Sequence, residues 1–362
     1  MPSIRKSLVI FAVVTFALLP ASAAPPSHVD ITWLSISNIY YEIGSLRILT
    51  DGYISRIPKS EFYGGGGGLA HTHDPYTPDV KEVTRVLSAL GGPKKINLLL
   101  TGHSHFDHTF DTPTWARLTG ARIIGSKTTC FQAIAEKIPA SRCTAVYGRE
   151  TFKLAKGVTM YVVRWNHSGS ADRNPEQHNP VELDSFPKPD PATGGLRGGV
   201  AEDFPNGGGA RGFLFTVDGP DGRFSWFFNN SASPTDLDDP IVINGTNYGA
   251  PIENLKLAMH DAGVASVDLW IGSGGAEVAK MVVPILKPKA FLPVHWDSFF
   301  QPFATGVTKP FADAPLEDFL NSSGVKVIKP VQYMDKWRLD RSGVRAIPNA
   351  KVKQALGFKD PS

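Results

Sequence analysis

The sequence has few cysteines, little net charge and, after its first 23 residues, no apolar segment long enough to cross a membrane. Two cysteines in 362 residues are too few for a disulfide scaffold or a cysteine-rich zinc array. A formal net charge of +3 is too small for a nucleic-acid-binding surface. The 35 glycines have no three-residue period, which excludes a collagen-like chain. Hydrophobic residues make up 42% of the chain, enough to bury a real core.

The first residues have the pattern of a secretory signal peptide. Arg5 and Lys6 precede an uncharged apolar run, Leu8–Leu19, and the small residues Ala21–Ala23 follow it. This order predicts a signal peptide over residues 1–23, so that the mature protein is exported to the periplasm or outside the cell. An uncleaved anchor helix is the alternative, but this run is short for a bilayer that needs about 20 residues. No membrane partner is expected after cleavage.

The remaining chain, residues 24–362, is expected to form one domain. Strand patterns dominate at first, and strands and helices then alternate twice, which predicts a sheet sandwich with helices outside. An irregular insertion near residues 168–212 is rich in Gly, Pro and Asn. Long segments of this kind are usually functional or disordered, so a lid and a disordered insertion are both open.

Two Thr-Pro pairs predict the starts of helices. Thr77 is the candidate N-cap of a helix that ends at Gly91, with proline at the first helical position. Thr112-Pro113 opens a shorter helix that ends near Gly120.

Cys130 and Cys143 are the two cysteines of the chain. Export favours a disulfide between them, because oxidising compartments allow such bonds to persist. Two buried thiols are the alternative, since sequence does not give the distance between the two residues.

The segment LLLTGHSHFDH joins an apolar strand to four candidate metal ligands. It places His103, His105, Asp107 and His108 within six residues. Neutral imidazole nitrogens and carboxylate oxygens are ligands that zinc prefers. His103 and His105 can reach one ion, while Asp107 and His108 can face a second. A histidine-rich surface loop is the alternative reading of this segment.

Two further predicted strands also end in histidine. The segment 161–167 ends in His167, and the segment 290–295 ends in His295. Strand ends of a layered sheet protein gather at one edge, where sites are usually found. Each histidine alone would be read as structural, but together with the first motif both become candidate ligands.

HSHFDH matches the HxHxDH signature, and the chain resembles the metallo-β-lactamase-fold hydrolases over roughly Asp30–Asp340. The resemblance implies an α/β (α+β) fold, a four-layer αββα sandwich, and a metal-dependent enzyme. It implies two zinc sites, with the ligands His103, His105 and His167 in the first and Asp107, His108 and His295 in the second. Because this chain lacks the family's bridging carboxylate, the second site should be weaker, or filled only at high metal concentration. KPKAFLPVHW is most similar to the branch that contains ascorbate-6-phosphate lactonase and related lipid phosphodiesterases.

Two positions are compared with the family's remaining carboxylates. Asp51 in LTDGY resembles the early strand-end Asp that orients the metal loop in the family. The family's bridging Asp has no counterpart in Trp226–Ser231, where Asn229 and Asn230 stand. Asp51 and Asn230 are therefore candidates for a supporting or bridging position. The nearby Asp236, Asp238 and Asp239 are substitutes for the bridge, or a solvated acidic turn.

The predicted function is an exported zinc-dependent hydrolase that uses a metal-bound hydroxide to cleave an ester, lactone or phosphodiester bond of a small molecule. Asp107 is the predicted catalytic residue, because a carboxylate there can accept and return a proton. β-Lactam hydrolysis is an alternative. A metal-binding protein without catalysis is the alternative from another class. The sequence does not indicate an oligomeric state.

Four aromatic residues flank the candidate histidines: Trp165, Trp296, Phe299 and Phe300. They are candidates for the wall of a hydrophobic pocket, and core packing is the alternative for each.

Overall fold

The computed structural model describes residues 13–15, 24–58, 73–173 and 175–359. The predicted signal peptide lies outside this part of the chain, apart from a three-residue strand, Val13–Thr15, which pairs in parallel with the strand Thr151–Ala155. Signal-peptide cleavage and export stay predictions.

The strands of the described residues are, in chain order, β1 (Val13–Thr15), β2 (His28–Ser35), β3 (Asn38–Ile43), β4 (Leu46–Thr50), β5 (Pro75–Tyr76), β6 (Leu98–Leu100), β7 (Arg122–Gly125), β8 (Cys143–Ala145), β9 (Thr151–Ala155), β10 (Val158–Arg164), β11 (Leu196–Arg197), β12 (Arg211–Gly219), β13 (Gly222–Phe228), β14 (Val242–Ile243), β15 (Thr246–Asn247), β16 (Leu269–Gly272), β17 (Ala290–Pro293), β18 (Lys326–Val327), β19 (Asp335–Asp340) and β20 (Gly343–Ile347). The α-helices are α1 (Val80–Ala89), α2 (Phe106–Thr109), α3 (Thr112–Thr119), α4 (Lys127–Ala135), α5 (Pro175–His178), α6 (Pro251–Asp261), α7 (Ala276–Leu286), α8 (Ala314–Ser322) and α9 (Ala350–Ala355).

The long strands form two eight-stranded sheets. One has the order β20-β19-β2-β3-β4-β6-β7-β8, and the other has the order β1-β9-β10-β12-β13-β16-β17-β18. Strands β4, β6 and β7 are parallel in the first sheet, and β13, β16, β17 and β18 are parallel in the second. Parallel neighbours need crossover helices, which cover the outer faces of the sheets.

The second sheet is apolar on both faces because both faces are covered. Along β12, Phe213 and Phe215 belong to the core between the two sheets, whereas Leu214 belongs to the core under helices α6 and α7. Rings meet across the inter-sheet core: Tyr41 of β3 lies 5.8 Å from Phe215 and 5.7 Å from Trp226, measured between ring centroids. The layers are therefore helix, sheet, sheet and helix, as predicted.

One of the two predicted helix starts differs in the structure. Asp79, and not Thr77, caps α1, since its side chain accepts a hydrogen bond from the backbone amide of Glu82. An aspartate two residues later is as good a cap as threonine, and the motif alone did not separate them. Helix α3 begins at Thr112 and ends before Gly120, which has the left-handed conformation that favours glycine. Among the described residues, no helix combines the length and apolar character needed to cross a membrane.

The predicted disulfide is present. Cys130 on α4 is bonded to Cys143 at the start of β8, so the bond joins the helix to an edge strand of the first sheet. The alternative of two buried thiols is wrong.

The irregular segment, described over residues 168–173 and 175–212, contains only short pieces of regular structure, α5 and β11, before β12 begins. It packs against the histidine motif. Ser104 donates a hydrogen bond to the carbonyl of Pro205, and Gln132 of α4 donates one to the carbonyl of Asp203. Whether the segment moves as a lid stays a prediction.

Candidate metal centre

The predicted ligands come from strand ends at one edge of the two sheets. Asp51 follows β4, His103 follows β6 and His167 follows β10, while Asn230 follows β13 and His295 follows β17. Parallel strands deliver their carboxyl ends to the same edge, which explains why residues far apart in sequence meet here. The structure brings all six predicted ligands together at this edge.

The first group consists of three buried histidines. Atoms of His103, His105 and His167 that can bind a metal lie within 4.8 Å of one another. Ring centroids are 4.8 Å apart for His103 and His105, and 4.5 Å apart for His105 and His167. Such a set can surround a single ion.

The second group surrounds the carboxylate of Asp107. Its Oδ2 atom lies 3.0 Å from Nε2 of His295 and 3.3 Å from Nε2 of His108. Atoms of His103, Asp107 and His108 also lie within 4.8 Å of one another, so His103 belongs to both groups.

Hydrogen bonds made by Nδ1 determine which nitrogen of each neutral ring is left to bind a metal. Nδ1 of His103 donates to Oδ1 of Asn230 at 3.1 Å, and Nδ1 of His167 donates to the carbonyl of Ser168 at 2.9 Å. Nδ1 of His108 donates to Oδ2 of Asp51 at 2.8 Å. In the neutral rings Nε2 is then the atom with a free lone pair. Hydrogen bonds of this kind orient metal-binding histidines.

Three buried histidine nitrogens in the described part of the chain make no hydrogen bond, although Nε2 of His108 lies 3.3 Å from the carboxylate of Asp107. They are the Nε2 atoms of His103, His105 and His108. Buried polar groups are normally satisfied, so these atoms are a strong departure. His103 and His105 fit a cation bound together with His167, and His103 and His108 fit one bound together with Asp107.

The histidines of the first group are held neutral. Burial lowers the pKa of His103 and His105 well below the usual range, helped by the neighbouring histidines. Burial also lowers the pKa of His167, to about 3. Neutral imidazole is the form that binds a metal, so these three residues need lose no proton on binding.

In the second group, neighbouring charges raise the pKa of His108 and lower the pKa of Asp107. Burial alone would lower the pKa of His108, but the carboxylates of Asp107 and Asp51 raise it to about 10. Burial alone would raise the pKa of Asp107, but His108 and His295 hold it well below its usual range. A metal bound by His108 would displace the proton of this ring.

Asp51 and Asn230 lie under the rings, on the Nδ1 side. Oδ2 of Asp51 accepts hydrogen bonds from Ser37 and from Nδ2 of Asn230, both at 2.8 Å, and its Oδ1 accepts from the backbone amide of Gly102. Both polar atoms of the Asn230 side chain are thus bonded within the protein. A Cβ atom at Gly102 would lie 2.2 Å from Nδ2 of Asn230, so only glycine fits there.

Asp236 supports the loop that carries His167. Its carboxylate accepts hydrogen bonds from Asn166 and from Nε2 of His178, each at 2.6 Å. Nδ1 of His178 in turn lies 3.0 Å from the carbonyl of His167. Neither Asp236 nor His178 belongs to the two groups of converging ligand atoms. His178 was not predicted as a ligand.

Sequence reasoning missed most of the supporting residues. Ser37, Gln132 and His178 lie on loops or helices without a motif, and only long-range hydrogen bonds show their role. Nor did the sequence indicate that Asp51 and His295 adopt left-handed backbone conformations, with φ of 56° and 63°. Non-glycine residues in that region are strained and cluster at functional sites.

Of the four aromatic candidates for a pocket wall, one is fully buried and three are partly exposed. Trp165 is fully buried and packs against Phe227 under the second sheet, so the pocket-wall reading is wrong for this residue. Trp296 is partly buried and stacks on Trp33. Phe299 and Phe300 are partly exposed and lie beside the metal groups.

No protein-family model matches the chain. A stretch of 145 residues, 39% of this chain, is 27% identical to a UPF0173 metal-dependent hydrolase of Pyrobaculum islandicum. The match spans about half of that curated relative, 52% of its length.

Solved structures are similar at low identity. Igni18, a metallo hydrolase from the archaeon Ignicoccus hospitalis, is 13% identical, with a TM-score of 0.49 over 86% of this chain and 99% of its own. The metallo-β-lactamase fold protein YhfI from Bacillus subtilis is 11% identical, with a TM-score of 0.45 over 86% of this chain and 99% of its own.

The predicted fold class is confirmed, whereas the lactonase-like branch stays a prediction. Two mixed sheets lie between layers of helices, and the candidate ligands lie at one sheet edge. The chain therefore has the four-layer αββα architecture expected of the metallo-β-lactamase type, and over 145 residues it is similar in sequence to a metal-dependent hydrolase.

Proposed function

We propose that this chain is an exported, zinc-dependent hydrolase that cleaves an ester, lactone or phosphodiester bond in a small molecule. One observation carries the proposal: the buried Nε2 atoms of His103 and His105 make no hydrogen bond, and ligand atoms of His103, His105 and His167 lie within 4.8 Å of one another, next to the group that contains Asp107. Each unsatisfied buried group costs about 1–3 kcal/mol, and a bound cation removes that cost. The name of the Pyrobaculum relative, a metal-dependent hydrolase, supports the same reaction class.

The donor set fits zinc. Three neutral imidazoles are a typical protein ligand set of catalytic zinc sites, which keep one position open. His103, His105 and His167 would hold this ion. A divalent ion bound there lowers the pKa of a water ligand and polarises the oxygen of the bond to be cleaved.

Asp107 is the residue that moves the proton. Its side chain is nearly buried, and the neighbouring His108 and His295 keep its carboxyl ionised at neutral pH by lowering its pKa. It can accept a proton from the attacking water and return it to the leaving oxygen. Asp51 holds the ring of His108 from below and keeps the reacting side of the site in place.

A second ion is expected to bind more weakly than the first. Asp107, His108 and His295 would hold it, and Asp107 is the carboxylate among them. Asn230 adds no charge, and its side chain is bonded to His103 and Asp51. Two dications beside one carboxylate leave positive charge uncompensated in a buried site, which is unfavourable.

Export is supported by two features. The pattern of residues 1–23 is typical of a signal peptide. The disulfide between Cys130 and Cys143 is of a kind that persists in oxidising compartments.

The test starts from protein purified without chelators. Elemental analysis is expected to give about one zinc per chain, and its removal by a chelator should abolish hydrolysis of a simple ester until zinc is returned. The variant Asp107→Asn should keep the first ion and lose about 100-fold or more in kcat, because general acid–base catalysis contributes that much. Asp239→Asn, a change on the exposed surface, is the matched control.

Two outcomes would reject the proposal. Protein without metal would remove the basis of the site. Protein that binds zinc but cleaves no ester, lactone, phosphodiester or β-lactam would favour the metal-binding alternative without catalysis.

A further inference from the structure

The surroundings of the metal centre are different on its two sides. On the Asp107 side, Phe299 lies 5.7 Å from the ring of His295 and 6.0 Å from the ring of Phe106, between centroids. Phe300 lies 4.3 Å from Phe299 and 6.2 Å from Phe106. These three rings are called the phenylalanine wall below. The site is thus bordered by apolar surface next to its carboxylate.

The His167 side is polar. Asn166 precedes His167, and Ser168 and Ser170 follow it closely. Ser168 is exposed, and its backbone amide is held by the hydroxyl of Ser231 at 2.8 Å. The side chains of Asn166 and Ser170 are buried and hydrogen-bonded within the protein, so a substrate that spans the site meets apolar rings at one end and the exposed Ser168 at the other.

The backbone just before Phe299 is hydrogen-bonded to the turn between β2 and β3. Asp297, two residues before Phe299, accepts a hydrogen bond from the backbone amide of Ile36 at 2.9 Å and one from the hydroxyl of Tyr333 at 2.8 Å. The amide of His295 donates to the carbonyl of Ile36 at 3.0 Å. His295 and Asp297 are thus bonded to the same turn, and they place Phe299 beside the ring of His295. A preformed apolar surface binds a ligand without an ordering cost.

The position of the wall relative to Asp107 determines which part of a substrate it meets. The leaving oxygen must lie near Asp107 to receive its proton, and Asp107 contacts His295, the neighbour of Phe299. The group attached to the leaving oxygen then lies against the wall.

We propose that the phenylalanine wall binds the hydrophobic alcohol part of an uncharged carboxylic ester or lactone. The inference rests on the proposed hydrolase function and names its substrate class. A phosphodiester is disfavoured, because apolar rings beside the leaving group offer its charged oxygens no partner.

The test compares two esters with the same atoms. Hexyl acetate carries its long chain on the leaving oxygen, and ethyl hexanoate carries it on the acyl carbon. Each methylene buried on the wall contributes about fourfold, so two of them predict a kcat/KM about 15-fold higher for hexyl acetate in the zinc-loaded enzyme. Rates are followed by acid release, after correction for the hydroxide-catalysed rate of each ester.

Substitutions test whether Phe299 causes the preference for hexyl acetate. Phe299→Ala should bring the ratio of the two rates close to one, mainly through the KM of hexyl acetate, whereas Phe299→Leu should retain most of it. Phe186→Ala, which removes a ring that is 52% exposed and packs on Phe131, should leave the ratio unchanged. Calorimetric titration of hexan-1-ol into the zinc-loaded protein is expected to show binding that Phe299→Ala weakens about tenfold.

The outcomes separate the two proposals. Equal or faster cleavage of ethyl hexanoate by the wild-type enzyme, or an unchanged ratio in Phe299→Ala, overturns the assignment of the wall while the hydrolase function stands. Preferred cleavage of bis(p-nitrophenyl) phosphate also overturns it. Absence of any zinc-dependent cleavage contradicts the proposed function itself.

Discussion

Replacing Asn230 by Asp should destabilise the protein and should not recruit a second metal ion. The resemblance to dinuclear hydrolases suggests the opposite, since an aspartate after this strand would supply their bridging carboxylate. In the structure, however, the amide of Asn230 donates a hydrogen bond to Oδ2 of Asp51 at 2.8 Å, and both residues are almost fully buried. A carboxylate at this position would lie against another carboxylate.

The expected loss of stability follows from the hydrogen bond between Asn230 and Asp51. Loss of a buried hydrogen bond to a charged group costs about 1.5–3 kcal/mol. If the new carboxyl instead stays protonated and donates to Asp51, keeping the proton costs about 1.4 kcal/mol for each unit by which its pKa is raised. Because the pKa of this carboxyl is raised on folding, the penalty grows as the pH rises above about 4. We expect Asn230→Asp to lower the free energy of unfolding by about 4 kcal/mol at pH 8, and by less at pH 5.

Urea unfolding at both pH values and elemental analysis of the folded protein check this expectation. Asn321→Asp, the same change at an exposed position on α8, is the control and should have little effect at either pH. A variant as stable as the wild type at pH 8 that holds one more zinc ion would refute the reasoning. In that case the side chain of residue 230 would face the metal and not the lower side of the rings.

Three further predictions concern other parts of the molecule. Burial raises the pKa of the Glu136 carboxyl to about 8, so the unfolded chain loses its proton first and stability falls as the pH rises from about 4.5 to about 8. Glu136→Gln should therefore raise the melting temperature at pH 9 and leave it nearly unchanged at pH 4, and an equal effect at both values would contradict this. His178→Gln should weaken zinc binding about tenfold in competition with a chromophoric chelator, because its contact with the His167 carbonyl is lost. The same change at the exposed His260 should leave the affinity unaltered, and equal effects would reject the supporting role. Leu99→Ala, in the centre of β6, should lower the free energy of unfolding by about 2–5 kcal/mol in chemical denaturation, and a loss under 1 kcal/mol would show a loosely packed strand.

Much of the fold could be predicted because its local signals are strong. Helix α3 begins at Thr112 and ends before Gly120 as predicted, since a Thr-Pro pair and a glycine mark its two ends. The cap of α1 was wrong because Thr77 and Asp79 are both good capping residues, and only the local backbone geometry selects one. The interpretation of Trp165 as part of a pocket wall was wrong. Both faces of the second sheet are covered, so the sequence pattern of a strand does not distinguish a residue that lines a pocket from one that packs in the core.

The sequence by itself determined the chemistry available at the site. Three strand-end segments carry His103, His167 and His295, and their residue types and positions in the chain are sufficient to predict a metal centre at one sheet edge. Hydrogen-bond partners were not predictable, because they join residues far apart in the chain, such as Asn230 and Asp51, which are 179 positions apart. Only the tertiary structure decided that Asn230 supports the rings from below and that the phenylalanine wall borders Asp107. The physical reason is that a side chain's role depends on which atom faces which neighbour, and that is fixed by packing of the two sheets and not by local sequence.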